Sequence, residues 1–235
     1  MPRYTKTALR RDIRSLAEID RDMADTLERF GYPELRSREP GFEALLRAIV
    51  GQQVSIAAAA AIWGRLAAAV DPLEPEILLS RSEETLRAAG LSRQKIKYTR
   101  GLASDIVEGR IVLERLPRLG DEEAIETLTS LKGIGRWTAE VYLLFALGRA
   151  DMFPADDLAL MAAAGHMKGH DERPDRARVL EIAEVWRPWR GAAAHMLWHY
   201  YHHVIMTPAA QKTARKSGKA KTPKPKAKGG AEATT

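Results

Sequence analysis

The spacing of apolar residues is the feature that most restricts what this chain can fold into. Leu9, Ile13, Leu16, Ile19, Met23, Leu27 and Phe30 recur every three or four positions. That spacing sets a single apolar face along a helix over residues 8–30. Phe42 to Ile49 and Val54 to Val70 continue the helical pattern. Leu79-Ser-Arg-Ser-Glu-Glu and Leu91-Ser-Arg-Gln-Lys read as helix starts with serine caps. Asp121 is a plausible cap before a helix over Glu122 to Leu131. Val141 to Leu147, Asp156 to Ala164, Arg176 to Trp186 and Arg190 to Ile205 complete the set. No stretch alternates apolar and polar residues for the length of a strand, so no sheet is expected. The expectation is an all-α fold of about ten helices joined by short loops, without internal repeats.

Composition narrows the function classes. The 235 residues contain no cysteine, which excludes a disulfide scaffold, a thiol nucleophile, a cysteine zinc site and a cysteine-ligated iron–sulfur cluster. Ile56 to Trp63, the longest apolar run, is eight residues and too short to cross a bilayer. The first residues lack the apolar core of a secretory signal, so a cytoplasmic protein without a membrane partner is expected.

The net charge of +6 suggests nucleic acid, but it is unevenly placed. Residues 207–235 hold eight Lys/Arg against one acid, Glu232, so the remainder is close to neutral. This Lys/Pro/Ala-rich tail has no aromatic residue and is expected to be a disordered polycation, serving either solubility or nonspecific DNA attraction.

Ser130-Leu-Lys-Gly-Ile-Gly-Arg-Trp-Thr-Ala139 carries the strongest local signal. A helix ends, Gly133-Ile134-Gly135 turns, and a new helix begins. The glycines permit positive φ and close backbone approach, and Ile134 can plug the gap between the helices. Backbone N–H groups from Gly135 onward then lie at a helix N-terminus, where a phosphate binds well. Lys132 and Arg136 flank the turn, and Thr138 can add a hydroxyl. A glycine-capped turn with no ligand is the competing reading of the same residues.

The stretch resembles the helix–hairpin–helix of the HhH-GPD DNA glycosylase superfamily. Four further segments resemble that superfamily in order: Phe42 to Ile56, Gly90 to Tyr98, Phe153-Pro-Ala-Asp-Asp-Leu-Ala-Leu160, and Trp186-Arg-Pro-Trp-Arg190 followed by Trp198. Within it the chain is most similar to the 3-methyladenine DNA glycosylase II branch. The endonuclease III branch has a lysine where this chain has Trp137, and commonly four cysteines; this chain has neither.

The resemblance implies two helical lobes with a DNA- and base-binding cleft between them. Residues 1–206 would form the glycosylase domain, with about 32–149 as one lobe and 1–31 plus 150–206 as the other. It implies a monomeric monofunctional enzyme that flips alkylated purines out of double-stranded DNA and hydrolyses the N-glycosidic bond. Asp157 is implied as the catalytic carboxylate, in the first turn of a helix capped by Asp156; two aspartates that merely cap a helix are the bland alternative. Trp137 and Trp198 are implied to line the base pocket, with Tyr142 near an aromatic position and Leu158 where relatives often carry an aromatic residue. Trp186 and Trp189 read better as core. Gln53 falls on the position of the side chain that fills the hole left by the base, with Gln52 beside it; a polar loop is the alternative. Lys132, Gly133, Ile134, Gly135, Arg136 and Thr138 are implied to contact DNA.

No organic cofactor is implied. Backbone carbonyls of Thr129, Leu131 and Ile134 are the expected ligands of a structural Na+ or K+. The histidine pairs 166/170 and 195/199 lack the acid or cysteine that completes a recognised zinc site. Other readings stay open at this point: a glycosylase for uracil, hypoxanthine or mispaired bases, a non-catalytic damage binder, or nucleoid compaction by the tail.

Overall fold

In the computed structural model, residues 4–207 are described. The basic tail expected from residue 207 onward therefore lies, apart from Thr207, outside the described residues.

Twelve α-helices follow one another: α1 (Lys6–Ile19), α2 (Arg21–Phe30), α3 (Phe42–Gly51), α4 (Ile56–Ala69), α5 (Pro75–Ser80), α6 (Glu83–Ala88), α7 (Arg93–Val107), α8 (Asp121–Thr129), α9 (Arg136–Phe145), α10 (Leu158–Met167), α11 (Arg176–Glu184) and α12 (Arg190–Tyr200). A 3-10 turn, Leu113–Arg118, precedes α8, and a π turn, Tyr201–Ile205, continues α12. No strand occurs among the described residues. The expected all-α class is what is found.

The serine caps are made as the sequence suggests. Ser82 accepts from the Thr85 N–H and Ser92 from the Lys95 N–H, each at 3.2 Å. The expected single helix over 8–30 is instead two. Asp20 breaks it: its backbone is extended, and its carboxylate accepts from the Asp22 and Met23 N–H groups to cap α2. That carboxylate also takes the Trp186 indole N–H at 2.7 Å and the Lys168 ammonium at 2.8 Å. A capping aspartate thus joins α2 to the end of α10 and to the loop before α12. Trp186 is fully buried, as a core tryptophan should be.

Two sets of helices pack around one continuous apolar core. In the first, α5 and α6 lie against α7, and α3 lies against α4 and α7. In the second, helices from both ends of the chain meet: α1 and α2 pack on each other and on α12, while α10 packs on α11 and α12. The α8–α9 pair contacts the first set through α3. Leu9, Ile13 and Leu16 of α1 are fully buried, so the N-terminal helix is part of the core.

Candidate active site

The turn between α8 and α9 is set by one glycine. Gly133 adopts φ +91°, and a Cβ there would lie 2.5 Å from the Tyr98 ring of α7. Nothing larger fits. Ile134 is buried and plugs the space between the helices as expected. Gly135 differs: its φ is −89°, and a Cβ would meet nothing within 4 Å. The fold itself therefore does not require glycine at 135. Gly135 is the N-cap of α9 and supplies no side-chain cap, leaving the first N–H groups of that helix without a side-chain acceptor.

Lys132 is exposed beside the turn. The Arg136 guanidinium is engaged within the protein, by Glu140 at 2.9 Å and Glu122 at 2.6 Å. Thr138 is buried and lines a cavity. These two side chains are thus directed differently from the expected flanking contacts.

Gln52 reaches the hairpin directly, its amide donating to the Gly133 carbonyl at 2.8 Å. Its neighbour Gln53 is exposed and sits at φ +56°, the one non-glycine residue with positive φ among the described residues. The α3–α4 turn is therefore strained at the residue expected to enter the DNA stack, and latched to the hairpin by the residue before it.

Asp157 meets the start of α9 through Trp137. The sequence suggested Asp156 as the helix cap, but Asp157 is the cap of α10. Its Oδ1 accepts from the Ala159 N–H at 2.9 Å and the Leu160 N–H at 3.0 Å. A tight turn closed by the Asp157 N–H on the Pro154 carbonyl sets this register. Asp156 pairs instead with Arg176 at 3.2 Å. Two indoles complete the carboxylate's surroundings. Trp198 Nε1 donates to Oδ1 at 3.2 Å, and Trp137 Nε1 to Oδ2 at 3.0 Å. Oδ1 thus has three donors, while Oδ2 has one and keeps acceptor capacity.

Between α3 and α9 lies a cavity of about 290 Å³. Trp137, Thr138, Val141, Tyr142 and Phe145 supply its α9 wall, and Gln52 and Gln53 stand at its edge. Tyr142 is buried, its hydroxyl accepting from the Gly41 N–H at 3.0 Å. Trp137 is 40% exposed at this cavity, whereas Trp198 is buried behind it, 5.3 Å from the Phe145 ring. Leu158 departs from expectation. As the first residue of a helix capped by Asp157 it is 63% exposed and outside the lining, and Phe145 and Val141 provide the apolar surface instead.

Sequence reasoning missed two further features. The Arg36 guanidinium lies 5.3 Å from the centre of the Trp198 ring, in the connection between α2 and α3. Desolvation draws its pKa down, and the Asp157 charge opposes that shift. No motif marks Arg36, because the contact is made only when the chain ends converge. The second feature is a charged chain. Glu140, buried on α9, accepts from Arg136 and, at 3.5 Å, from Arg176, which reaches on to Asp156. Burial raises the Glu140 pKa, against the pull of both arginines. This chain fixes the start of α9 relative to the residue beside Asp157. His166, His195 and His199 are engaged in hydrogen bonds to Tyr200, Gly191 and Phe30.

The strained turn thus lines the apolar cavity, Gln52 ties it to the glycine hairpin, and Trp137 ties the cavity wall to the Asp157 carboxylate. Residues 46–188 match the family described as HhH-GPD superfamily base excision DNA repair protein. DNA-3-methyladenine glycosylase 1 of Schizosaccharomyces pombe is 38% identical over 168 residues, which is 70% of this chain and 73% of that protein. The S. pombe 3-methyladenine DNA glycosylase solved in complex with abasic DNA superposes with a TM-score of 0.77 at 34% identity, covering 84% of this chain and 99% of that one. A DNA-3-methyladenine glycosidase from Bacillus halodurans superposes with a TM-score of 0.75 at 31% identity, over 87% of this chain and 95% of the other. With a family match across most of the helical body and this likeness in fold, the chain belongs to the HhH-GPD superfamily of base excision DNA repair proteins.

Proposed function

We propose that this protein is a monofunctional DNA glycosylase that removes alkylated purines of the 3-methyladenine type from double-stranded DNA. The observation that carries the reading is the Asp157 carboxylate, held by two backbone and two indole N–H groups, one of those indoles, Trp137, lining an apolar cavity. Departure of the base leaves positive charge on the sugar, and a fixed carboxylate stabilises that charge as it develops. Oδ2, the oxygen with free acceptor capacity, faces this task and can also orient the attacking water. A cationic alkylated base stacks on electron-rich rings, and Trp137 and Tyr142 supply them. Loss of such a base needs little protonation, so a general acid is not required.

Position 137 adjoins Asp157, which is where an amine would have to stand to attack the sugar carbon. Tryptophan there supports hydrolysis alone, leaving an abasic site. Gly135 has no internal reason to be glycine, and a phosphate approaching the start of α9 supplies one. Gln53 is the proposed wedge and Gln52 its anchor; Lys132 adds a phosphate contact. The carbonyls of Thr129, Leu131 and Ile134 are neutral oxygen donors suited to Na+ or K+, although that of Leu131 already accepts the Ile134 N–H at 3.1 Å. The enzyme would act as a monomer.

The test is base release from alkylated duplex DNA by the wild type beside Asp157→Asn. Released 3-methyladenine with the wild type and little with the variant supports both the reaction and the residue. Equal release by the wild type and Asp157→Asn overturns the role of Asp157. No release by either, despite duplex binding, overturns the alkylpurine substrate and directs the search to other bases.

A further inference from the structure

The helix that carries Tyr98 has a face that the base-excision reading leaves unused. Arg93, Lys97 and Arg100 stand at positions i, i+4 and i+7 of α7 and so share one side of it. Together with Arg81, they line a groove of about 950 Å³, the most spacious of those described. Glu83 is the one carboxylate in its lining. In a body whose formal charge is close to zero, four cations against one carboxylate in a single groove make a local positive field.

The groove is also placed by the hairpin. Tyr98 lines it and packs its ring against Gly133, and Gln94 Nε2 donates to the Tyr98 hydroxyl at 2.6 Å. On the same helix, Lys95 donates to the Val50 carbonyl at the end of α3, next to the Gln52–Gln53 turn. Helix α7 is therefore braced against both elements that are proposed to meet the lesion. Arg100 is held rigidly by the Arg81 and Leu79 carbonyls, at 2.8 and 3.1 Å, while Arg93 and Lys97 are exposed and free to reach a ligand.

We infer that this groove takes the phosphodiester backbone of the DNA beyond the hairpin, as a second phosphate-binding track. The inference rests on the DNA-repair reading given above. Seven residues of helix span about 10 Å, a length over which a stripe of cations can meet about two successive phosphates of one strand. Tyr98 joins the groove to the hairpin, so one strand can run from one to the other. The shared chemistry is phosphate, and the alternative source is a free nucleotide.

The experiment compares the full chain with Arg93→Glu/Lys97→Glu, and with Arg115→Glu/Arg118→Glu, an equal change of net charge on exposed residues of the 3-10 turn. Affinity for an undamaged duplex is measured by fluorescence anisotropy across a salt series. Base release is measured in single turnover at saturating enzyme. The groove variant is expected to bind the duplex about tenfold more weakly, with a log–log salt dependence shallower by about two. Its single-turnover rate is expected to stay within twofold of wild type. The 3-10 variant should change affinity by much less. Equal losses in both variants, or an unchanged affinity in the groove variant, overturn the inference. Saturable binding of ATP to the wild type that the groove variant loses, with duplex affinity intact, assigns the groove to free nucleotides and overturns it too. Because duplex binding is read separately from base release, a wild type that binds DNA but releases no alkylated base counts against the proposed reaction and not against the track.

Discussion

Trp137 Nε1 donates to Asp157 Oδ2 at 3.0 Å, tying the start of α9, which lines the cavity, to the cap of α10. The bond does two things at once. It fixes the oxygen proposed to face the sugar, and it holds one indole edge so that the ring borders the base cavity. Trp137→Phe keeps the ring and removes the donor. Base release in single turnover is expected to fall about tenfold, equivalent to about 1.4 kcal/mol. Stability should change by less than about 1 kcal/mol, since the side chain is 40% exposed. A rate within twofold of wild type would show that the donor does not position the carboxylate.

The absence of an amine at position 137 gives a second expectation. After incubation with alkylated duplex, the DNA strand should remain intact until treated with alkali, and borohydride should trap no covalent adduct. Gel analysis with and without each reagent reads this directly. A borohydride-trapped adduct would point to a nucleophilic amine elsewhere in the chain and end the monofunctional reading.

The two hairpin glycines should separate stability from DNA binding. Gly133→Ala brings a Cβ to 2.5 Å from the near end of the Tyr98 side chain, at a φ of +91°. A loss of about 3 kcal/mol in urea unfolding is expected from strain and overpacking together. Gly135→Ala has open space and an ordinary φ, so its cost should stay below about 1 kcal/mol. Duplex affinity should nevertheless drop severalfold, because the added methyl group stands where a phosphate would approach. Normal affinity in folded Gly135→Ala would remove the argument for a phosphate at that turn.

Asp20 predicts how the fold responds to acid. Burial works against its charge, but Lys168, the Trp186 indole and the Met23 N–H together hold its pKa below the usual 3.8. A carboxyl group whose folded pKa is depressed contributes stability above its unfolded pKa and loses it as pH falls through the folded value. Wild type should therefore be more stable than Asp20→Asn at neutral pH. A difference of about 3 kcal/mol is expected, the low end for breaking a buried pair, since Lys168 is partly exposed. The gap should narrow progressively below pH 3.8. A difference that does not change across that range would mean that another group governs acid sensitivity.

Much of this organisation is legible in the sequence because it is local. The serine caps at 82 and 92, the plug at Ile134 and the buried Trp186 follow from residue type and spacing. Asp20 was not legible as a break, because the apolar spacing runs through it; the cap is worth making only when Lys168 and Trp186 arrive from the far end of the chain. The Asp156–Asp157 pair was ambiguous for a related reason. Either residue caps well on its own, and the turn closed on Pro154 decides between them. Arg36 on Trp198 and Gln52 on the Gly133 carbonyl join residues far apart in sequence, and no local pattern encodes such contacts.

Gln53 offers the sharpest separation of fold from function. Its φ of +56° is a conformation glycine adopts without cost, and a side chain there is held at some expense in stability. Relief of left-handed strain and the extra chain entropy of glycine oppose each other, so Gln53→Gly should change stability by between about 0 and +1 kcal/mol if its side chain has no structural role. Nothing else in the turn need change, since the latch to the hairpin is made by Gln52. If Gln53 fills the gap left by an extruded base, the same substitution should slow base release from duplex DNA by tenfold or more, while release from single-stranded alkylated DNA, where no stack has to be refilled, is much less affected. Thermal denaturation and the two release assays decide the matter together. A variant at least as stable as wild type with undiminished duplex activity would mean that the side chain at residue 53 does not enter the stack.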